Sequence, residues 1–217
     1  RLSLVGSEMC IRDRSMTARH RTTHLLYLHG FRSSPQSMKA RKVAERVARS
    51  HPGVTWWCPQ LPPSPREALA RVLEGVADWP GDRMAVVGSS LGGFYASAVA
   101  AERGCRVALI NPAVEPGRDL ARYIGLQTGW QNPEETFFFQ RHFIGELDDI
   151  QRRTLQLEQT AHPLTYALIA RGDEVLDWRE MSARYPHAQV RLLEGGDHAV
   201  SDFDDHIDEL FTFLDLA

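Results

Sequence analysis

Lysine is almost missing from this chain of 217 residues: Lys39 and Lys42 are the only two, and the other 23 of its 25 basic residues are arginine. The arginines are scattered and balanced by 28 acidic residues, for a formal net charge of −3. That balance excludes a nucleic-acid binder working through bulk positive charge, and the arginine bias reads as GC-rich codon usage rather than phosphate recognition. Cysteine is equally scarce. Cys10, Cys58 and Cys105 are an odd number without C-x-x-C spacing, so neither a disulfide framework nor a zinc site is expected. They read as small buried hydrophobes and a stray thiol, which fits a reducing cytoplasm. No apolar run approaches the roughly 20 residues that span a bilayer, which excludes a membrane-spanning chain. Internal repeats, low-complexity tracts and interdomain linkers are absent as well. What remains is ordinary for one globular domain with a sizeable core: 43% hydrophobic and 24% charged residues.

The opening RLSLVGSEMCIRDRS, ahead of Met16, lacks the apolar core of a signal peptide and any helix or strand period. Residues 4–14, LVGSEMCIRDR, resemble a translated sequencing-library adapter. Residues 1–15 are therefore expected to be a non-native or disordered extension, the natural start to be Met16, and residues 16–217 to form a single domain.

From there short apolar runs alternate with helical patterns. Strands are expected over 24–28, 54–58, 84–87, 107–110, 165–169 and 189–193. Helices are expected over about 35–50, 65–78, 94–102, 178–185 and 203–214. Ser34-Pro35 and Ser64-Pro65 read as helix starts, with serine as the cap and proline in the first turn. Between 113 and 163 the alternation fails. This stretch, rich in Gln, Gly and aromatics including Trp130 and Phe137-Phe138-Phe139, reads as an insertion with helical pieces. The alternation implies parallel βαβ units, hence an α/β fold of about six mostly parallel strands with helices on both faces.

Gly88-Ser89-Ser90-Leu91-Gly92 matches G-x-S-x-G and lies between an expected strand and an expected helix. In that context the motif forms a sharp, strained turn that presents a nucleophile, and its small flanking residues let strand and helix approach. The geometry assigns the nucleophile to Ser90 rather than Ser89. A glycine-rich turn with a capping serine and a phosphate-binding loop are the competing readings; G-x-G-x-x-G and the Walker lysine are both absent.

A serine hydroxyl needs an imidazole to take its proton, and the imidazole needs a carboxylate to fix its tautomer. In this fold the partners follow in the order serine, acid, histidine. Asp173, in Gly172-Asp-Glu-Val-Leu-Asp177, follows the fifth expected strand, and His198, in Gly195-Gly-Asp-His198, follows the sixth. Strand C-terminal ends are where open α/β sheets place their sites. Glu174, Asp177 and Asp197 compete for the acid; Asp177 reads as a helix cap, and Asp197 would point away from its neighbour. The other histidines precede strands or lie in the insertion or the last helix. The backbone N–H groups of Leu91, after the nucleophile, and Phe31, in the loop after the first strand, are the expected oxyanion donors. His29 reads as structural, and Ser34 as a cap or an extra donor.

Together these residues resemble the α/β-hydrolase superfamily, and within it the small YqiA/YcfP-like bacterial esterases. The resemblance runs in order through Leu26-Tyr-Leu-His-Gly-Phe31, Ser33-Ser-Pro35, Lys39-Ala40, Pro59-Gln-Leu-Pro-Pro63, Val87-Gly-Ser-Ser-Leu-Gly-Gly93, Asn111-Pro-Ala-Val114, Gly172-Asp-Glu-Val-Leu-Asp177 and Glu194-Gly-Gly-Asp-His-Ala199. It implies an esterase, with acyl esters and acyl-CoA thioesters as substrates, and its serine, acid and histidine fall on Ser90, Asp173 and His198. The insertion around Trp130 and Phe137 matches no pattern of the family, so substrate preference does not carry over.

The expectation is a serine esterase or thioesterase acting on small-molecule acyl esters through an acyl-enzyme, with no metal or cofactor and no nucleic-acid or membrane partner. The insertion would form a small lid whose aromatics line an acyl pocket or simply pack it down. The alternatives are an acyltransferase using the same triad and a non-catalytic binding protein on the same fold.

Overall fold

The structure is a computed structural model that describes residues 21–216. The expected extension over 1–15, the start at Met16 and Cys10 lie outside the described residues. In chain order the elements are β1 (His24–Leu28), α1 (Met38–Ser50), β2 (Thr55–Trp57), α2 (Pro65–Gly75), β3 (Met84–Ser89), α3 (Leu91–Arg103), β4 (Arg106–Ile110), α4 (Pro116–Leu120), β5 (Gly125–Thr128), β6 (Thr136–Phe139), α5 (His142–Glu158), β7 (Thr165–Ala170), α6 (Trp178–Arg184), β8 (Gln189–Leu193) and α7 (Ile207–Leu214). Six strands form one parallel sheet in the order β2-β1-β3-β4-β7-β8. This is the α/β-hydrolase fold that the strand–helix alternation and the motifs implied.

Each central strand is buried on both faces, and the period of two sorts its side chains into two cores. Leu26, Leu28, Val86, Val107, Leu109, Ala167 and Ile169 face α2, α3 and α5. Leu25, Tyr27, Ala85, Val87, Ala108, Ile110, Tyr166 and Leu168 face α1 and α7, which contribute Val43, Val47, Leu210 and Leu214. Burial of that many branched side chains, at about 25 cal/mol per Å² of apolar surface, is the main force that fixes the register. With Leu28 paired to Gly88, Ser89 to Ile110, Ile110 to Leu168 and Ala170 to Leu193, the C-terminal strand ends lie level on one rim.

Several details differ from expectation, among them that α3 begins at Leu91 rather than Phe94 and α2 ends at Gly75. The first helix begins at Met38, not Pro35. The Ser34 hydroxyl accepts from the Gln36 N–H at 3.1 Å and the Ser34 carbonyl from the Ser37 N–H at 3.0 Å, so serine and proline shape a separate turn. The last helix is split into a 3₁₀ turn, Phe203–Asp205, and α7. The segment between β4 and β7 holds, besides helices α4 and α5, an antiparallel hairpin of β5 and β6 in which Gln127 pairs with Phe137 and Leu126 with Phe138. Strands of four residues carry too short an alternation to register as a period. Among the described residues no helix is long and apolar enough to cross a membrane.

Candidate active site

β3 runs straight into Ser90, whose backbone (φ 57°, ψ −123°) lies in a region that L-residues rarely occupy. Holding a non-glycine residue there costs about 1–3 kcal/mol. The turn is tight enough to dictate its neighbours. A Cβ on Gly88 would fall 2.2 Å from the Gly92 carbonyl oxygen, and one on Gly92 would fall 2.0 Å from the Leu28 carbonyl oxygen. The Ser90 N–H donates to the Ile110 carbonyl at 3.0 Å, and its carbonyl accepts from the Gly93 and Ala113 N–H groups. Both sides of the turn are thereby pinned.

The three residues assigned from strand ends meet. His198 Nε2 lies 3.0 Å from Ser90 Oγ, and His198 Nδ1 lies 2.7 Å from Asp173 Oδ2. The Asp173 side chain is fully buried. Its Oδ1 accepts the N–H groups of Val175 and Leu176, both at 2.8 Å, which leaves Oδ2 aimed at the imidazole. An ionised carboxylate accepts only, so Nδ1 carries the proton and Nε2 offers a lone pair to the serine hydroxyl. Of the competing acids, Asp177 caps α6 by accepting from the Arg179 N–H, and the Asp197 carboxylate binds the Ser201 N–H and hydroxyl. Those bonds, helped by Lys39, hold the Asp197 carboxyl below its usual range.

The sequence alone does not show which residues hold the histidine loop, although Asn111, Lys39 and Glu174 stand in the motifs quoted above. Asn111, fully buried at the end of β4 with φ 41°, donates from Nδ2 to the carbonyls of Asp197 and His198 at 3.1 and 3.2 Å, and its Oδ1 accepts from the Ala170 N–H at 2.8 Å. Glu174, read only as a rival acid, accepts the His198 N–H at 3.0 Å. Lys39 reaches over from α1 to donate to the Ala199 carbonyl. Burial pushes the Lys39 ammonium down to about 8, against the pull of Asp197 and Asp173. An asparagine just before a proline at a strand end is the only local hint of any of these, since asparagine tolerates positive φ.

His29 is buried, and its Nε2 accepts from the Leu61 N–H at 3.2 Å while Nδ1 lies 3.0 Å from the Gly30 carbonyl oxygen. Accepting at Nε2 places the proton on Nδ1, which donates to Gly30; burial lowers its basicity further. Both ring nitrogens are thus spent on backbone, in keeping with a structural role.

The β1 loop passes directly over Ser90: a Cβ on Gly30 would come 3.2 Å from Ser90 Cβ. Leu91 opens α3, where the first N–H groups have no acceptor within the helix. Phe31 and Leu91 line one cavity of about 130 Å³ together with Ser90 and His198. Ala113, Leu120, Tyr123 and Leu176 give that cavity an apolar wall.

Phe31 is held by the insertion. Its ring packs on Tyr123, Phe137 and Phe139 with centroids 5.5, 5.8 and 5.3 Å away. The next residue, Arg32, has φ 59°. It donates from Nε to the Thr128 carbonyl at 2.6 Å and from Nη2 to the Thr128 hydroxyl at 3.0 Å. Its guanidinium sits 4.2 Å from the centre of the Trp130 ring, and its carbonyl accepts the Trp130 N–H at 2.7 Å. Ser34 is absorbed in its own turn rather than aimed at the site. Among the described residues no group of three or more His, Cys, Asp or Glu is placed to hold a metal ion.

Residues 24–215 match the profile of the uncharacterised protein family UPF0227. Solved structures with the same fold include a putative hydrolase from Agrobacterium vitis S4, at TM-score 0.70 and 17% identity over 89% of this chain and 88% of that one. A structure reported with the metagenome-derived lipolytic enzymes LipS and LipT reaches TM-score 0.67 and 20% identity, over 89% and 94% of the two chains. The mouse α/β-hydrolase domain-containing protein 10 reaches 0.60 and 19%, over 88% and 91%.

Proposed function

The chain belongs to the uncharacterised protein family UPF0227, and we propose that it is a serine esterase or thioesterase hydrolysing small-molecule acyl esters through an acyl-enzyme. The observation that carries this reading is the continuous line of hydrogen bonds from Asp173 through His198 to Ser90 on a strained strand-to-helix turn. Isolated serines on glycine-rich turns have no reason to carry an oriented imidazole backed by a buried carboxylate.

Ser90 Oγ attacks the acyl carbonyl while His198 Nε2 takes its proton. Asp173 holds the ring and stabilises the imidazolium. The carbonyl oxygen, now negative, turns toward the N–H groups of Phe31 and Leu91. His198 returns the proton to the leaving alcohol or thiol, and the acyl group remains on Ser90. Water, deprotonated by His198, attacks the acyl-enzyme and releases the acid with Ser90 restored. The acyl chain lies in the 130 Å³ cavity, against Leu120, Tyr123 and Leu176. The insertion over about 113–163 roofs the site as a small lid on a single domain. The reaction needs no metal or cofactor, and its setting is the cytoplasm. The lipolytic character stated for LipS and LipT is in keeping with this reading.

The test is a panel of acyl esters and thioesters, from acetyl to decanoyl, assayed with and without added acceptor alcohols. Hydrolysis to free acid supports the proposal. Transfer to the acceptor in preference to water points to a transferase, and no turnover of any member by folded protein contradicts the reading.

A further inference from the structure

We propose that the side chain of Phe31 is the gate that sets acyl chain length, closing the small cavity beside Ser90 off from a larger cavity behind it. The inference rests on the esterase reading and adds the feature that selects among its substrates. In that reading the chemistry uses only the backbone N–H of Phe31, so the size of the side chain must be explained by something else.

Its position offers that explanation. Phe31 borders three cavities: one of about 280 Å³ reaches Ser90 and His198 past the polar side chains of Ser33, Ser37, Lys39 and Gln131, and the other two meet at Phe31. On one side is the 130 Å³ space that contains Ser90 and His198. On the other is a space of about 370 Å³, lined by Leu61, Pro62, Tyr95, Phe137 and Phe139, whose lining includes neither Ser90 nor His198. The ring's own contacts follow the same division. Tyr123 meets it from the small cavity, while Phe137 and Phe139 meet it edge-on from the large one. An acyl chain that runs from Ser90 into the small apolar cavity ends against Phe31 and Tyr123, although apolar surface continues behind the ring. Gln60, Arg71 and Glu135 also line the far space, so it is polar in part and the chain would run along its aromatic side.

Each methylene that moves from water into apolar surroundings is worth about fourfold in kcat/KM. Opening the gate should therefore favour long chains steeply. The experiment measures kcat/KM for p-nitrophenyl butanoate and decanoate on wild type, Phe31→Leu and Phe31→Ala. The readout is the decanoate-to-butanoate ratio for one sample, so the fraction of active protein and any general loss at the oxyanion site cancel. Phe31→Ala is expected to raise the ratio at least tenfold, with Phe31→Leu between. Adding Leu61→Trp, which fills the far cavity, to Phe31→Ala should bring the ratio back toward that of wild type. Phe31→Leu keeps the test decisive if Phe31→Ala fails to fold. A wild type that hydrolyses butanoate, with ratios within twofold across the Phe31 variants, overturns the gate alone. A gain that survives Leu61→Trp also overturns it, because the chain then runs elsewhere. A wild type that hydrolyses neither ester overturns the esterase reading and the gate with it.

Discussion

Ser90, Asp173 and His198 stand on turns that leave the C-terminal ends of β3, β7 and β8, while Phe31 leans on a hairpin that belongs to the insertion between β4 and β7. The first group inherits its geometry from the sheet. Level strand ends bring the turns together, and Asn111 ties the β4 end to the histidine loop and to β7. The second group inherits its geometry from side chains: three aromatic rings around Phe31 and the fork of Arg32 on Thr128. The sheet-borne half rests on a buried frame, with Asn111 and the Asp173 side chain fully enclosed. The insertion-borne half has exposed apolar positions, with Leu126, Trp130 and Phe138 more than half accessible. Ser90 and its hydrogen-bonded partners thus rest on the fold's core, whereas Phe31 and Arg32 rest on a peripheral element.

The contrast predicts a ranking of effects. Ser90→Ala and His198→Ala should each lower ester hydrolysis by at least ~1,000-fold, because the members of such a triad act as a unit. Steady-state kinetics on folded variants checks this, and near-normal turnover in either would remove the sheet-borne half from the chemistry. Asp173→Asn should cost somewhat less, about 100-fold or more in kcat, because it disturbs the tautomer of His198 but leaves the nucleophile and base in place.

Asn111→Ala joins the two kinds of effect. It strips partners from the Ala170 N–H and from the Asp197 and His198 carbonyls. Of these, only the Ala170 N–H is fully buried, and leaving it unsatisfied costs about 1–3 kcal/mol, while the two carbonyls belong to partly exposed residues. Denaturant unfolding should show a loss in that range, and kcat should fall as the histidine loop loosens. A variant as stable as wild type would mean that the loop is held by other contacts.

Arg32→Ala should mark the other half, with kcat down about tenfold, KM nearly unchanged and unfolding stability within about 1 kcal/mol, since the pair with Trp130 is partly exposed. Arg32→Lys should not restore kcat, because an ammonium cannot reproduce the planar fork on Thr128 and the stack on Trp130. Equal losses of stability and activity would make Arg32 a general structural residue and erase the distinction.

Last comes the pH dependence contributed by Lys39. Its folded value is pushed from 10.5 down to about 8 by burial. Between these values the unfolded chain binds more protons than the folded one, so this group makes stability rise with pH across that window. The stability of wild type relative to Lys39→Met should therefore increase from pH 8 to pH 10.5. A constant difference would show that the ammonium is solvated.

The same division governs what was legible in the residues alone. The strands read clearly, because apolar runs such as Leu25 to Leu28 and Met84 to Val87 must be buried on two faces. Ser90 directly follows such a run, and Asp173 and His198 come within a few residues of the next two strand ends in the expected order, so the three could be proposed as a set. The hairpin did not register, since two four-residue strands closed by Gly125 and Phe139 carry no sustained alternation. Arg32 and Asn111 were missed for a different reason. Their partners lie 96 and up to 87 residues away, and the proline after Asn111 hints at a turn but not at the meeting. The false helix start at Pro35 came from a serine–proline pair that serves a turn equally well.

The central claim is that Ser90 is an activated nucleophile, and the site of covalent labelling tests it most directly. Wild-type protein treated with a fluorophosphonate probe, digested and mapped by mass spectrometry, should carry one adduct on Ser90. The adduct should be lost in Ser90→Ala and form far more slowly in His198→Ala. Labelling at Ser89 or elsewhere, labelling indifferent to His198, or no adduct on the folded wild type would contradict the account.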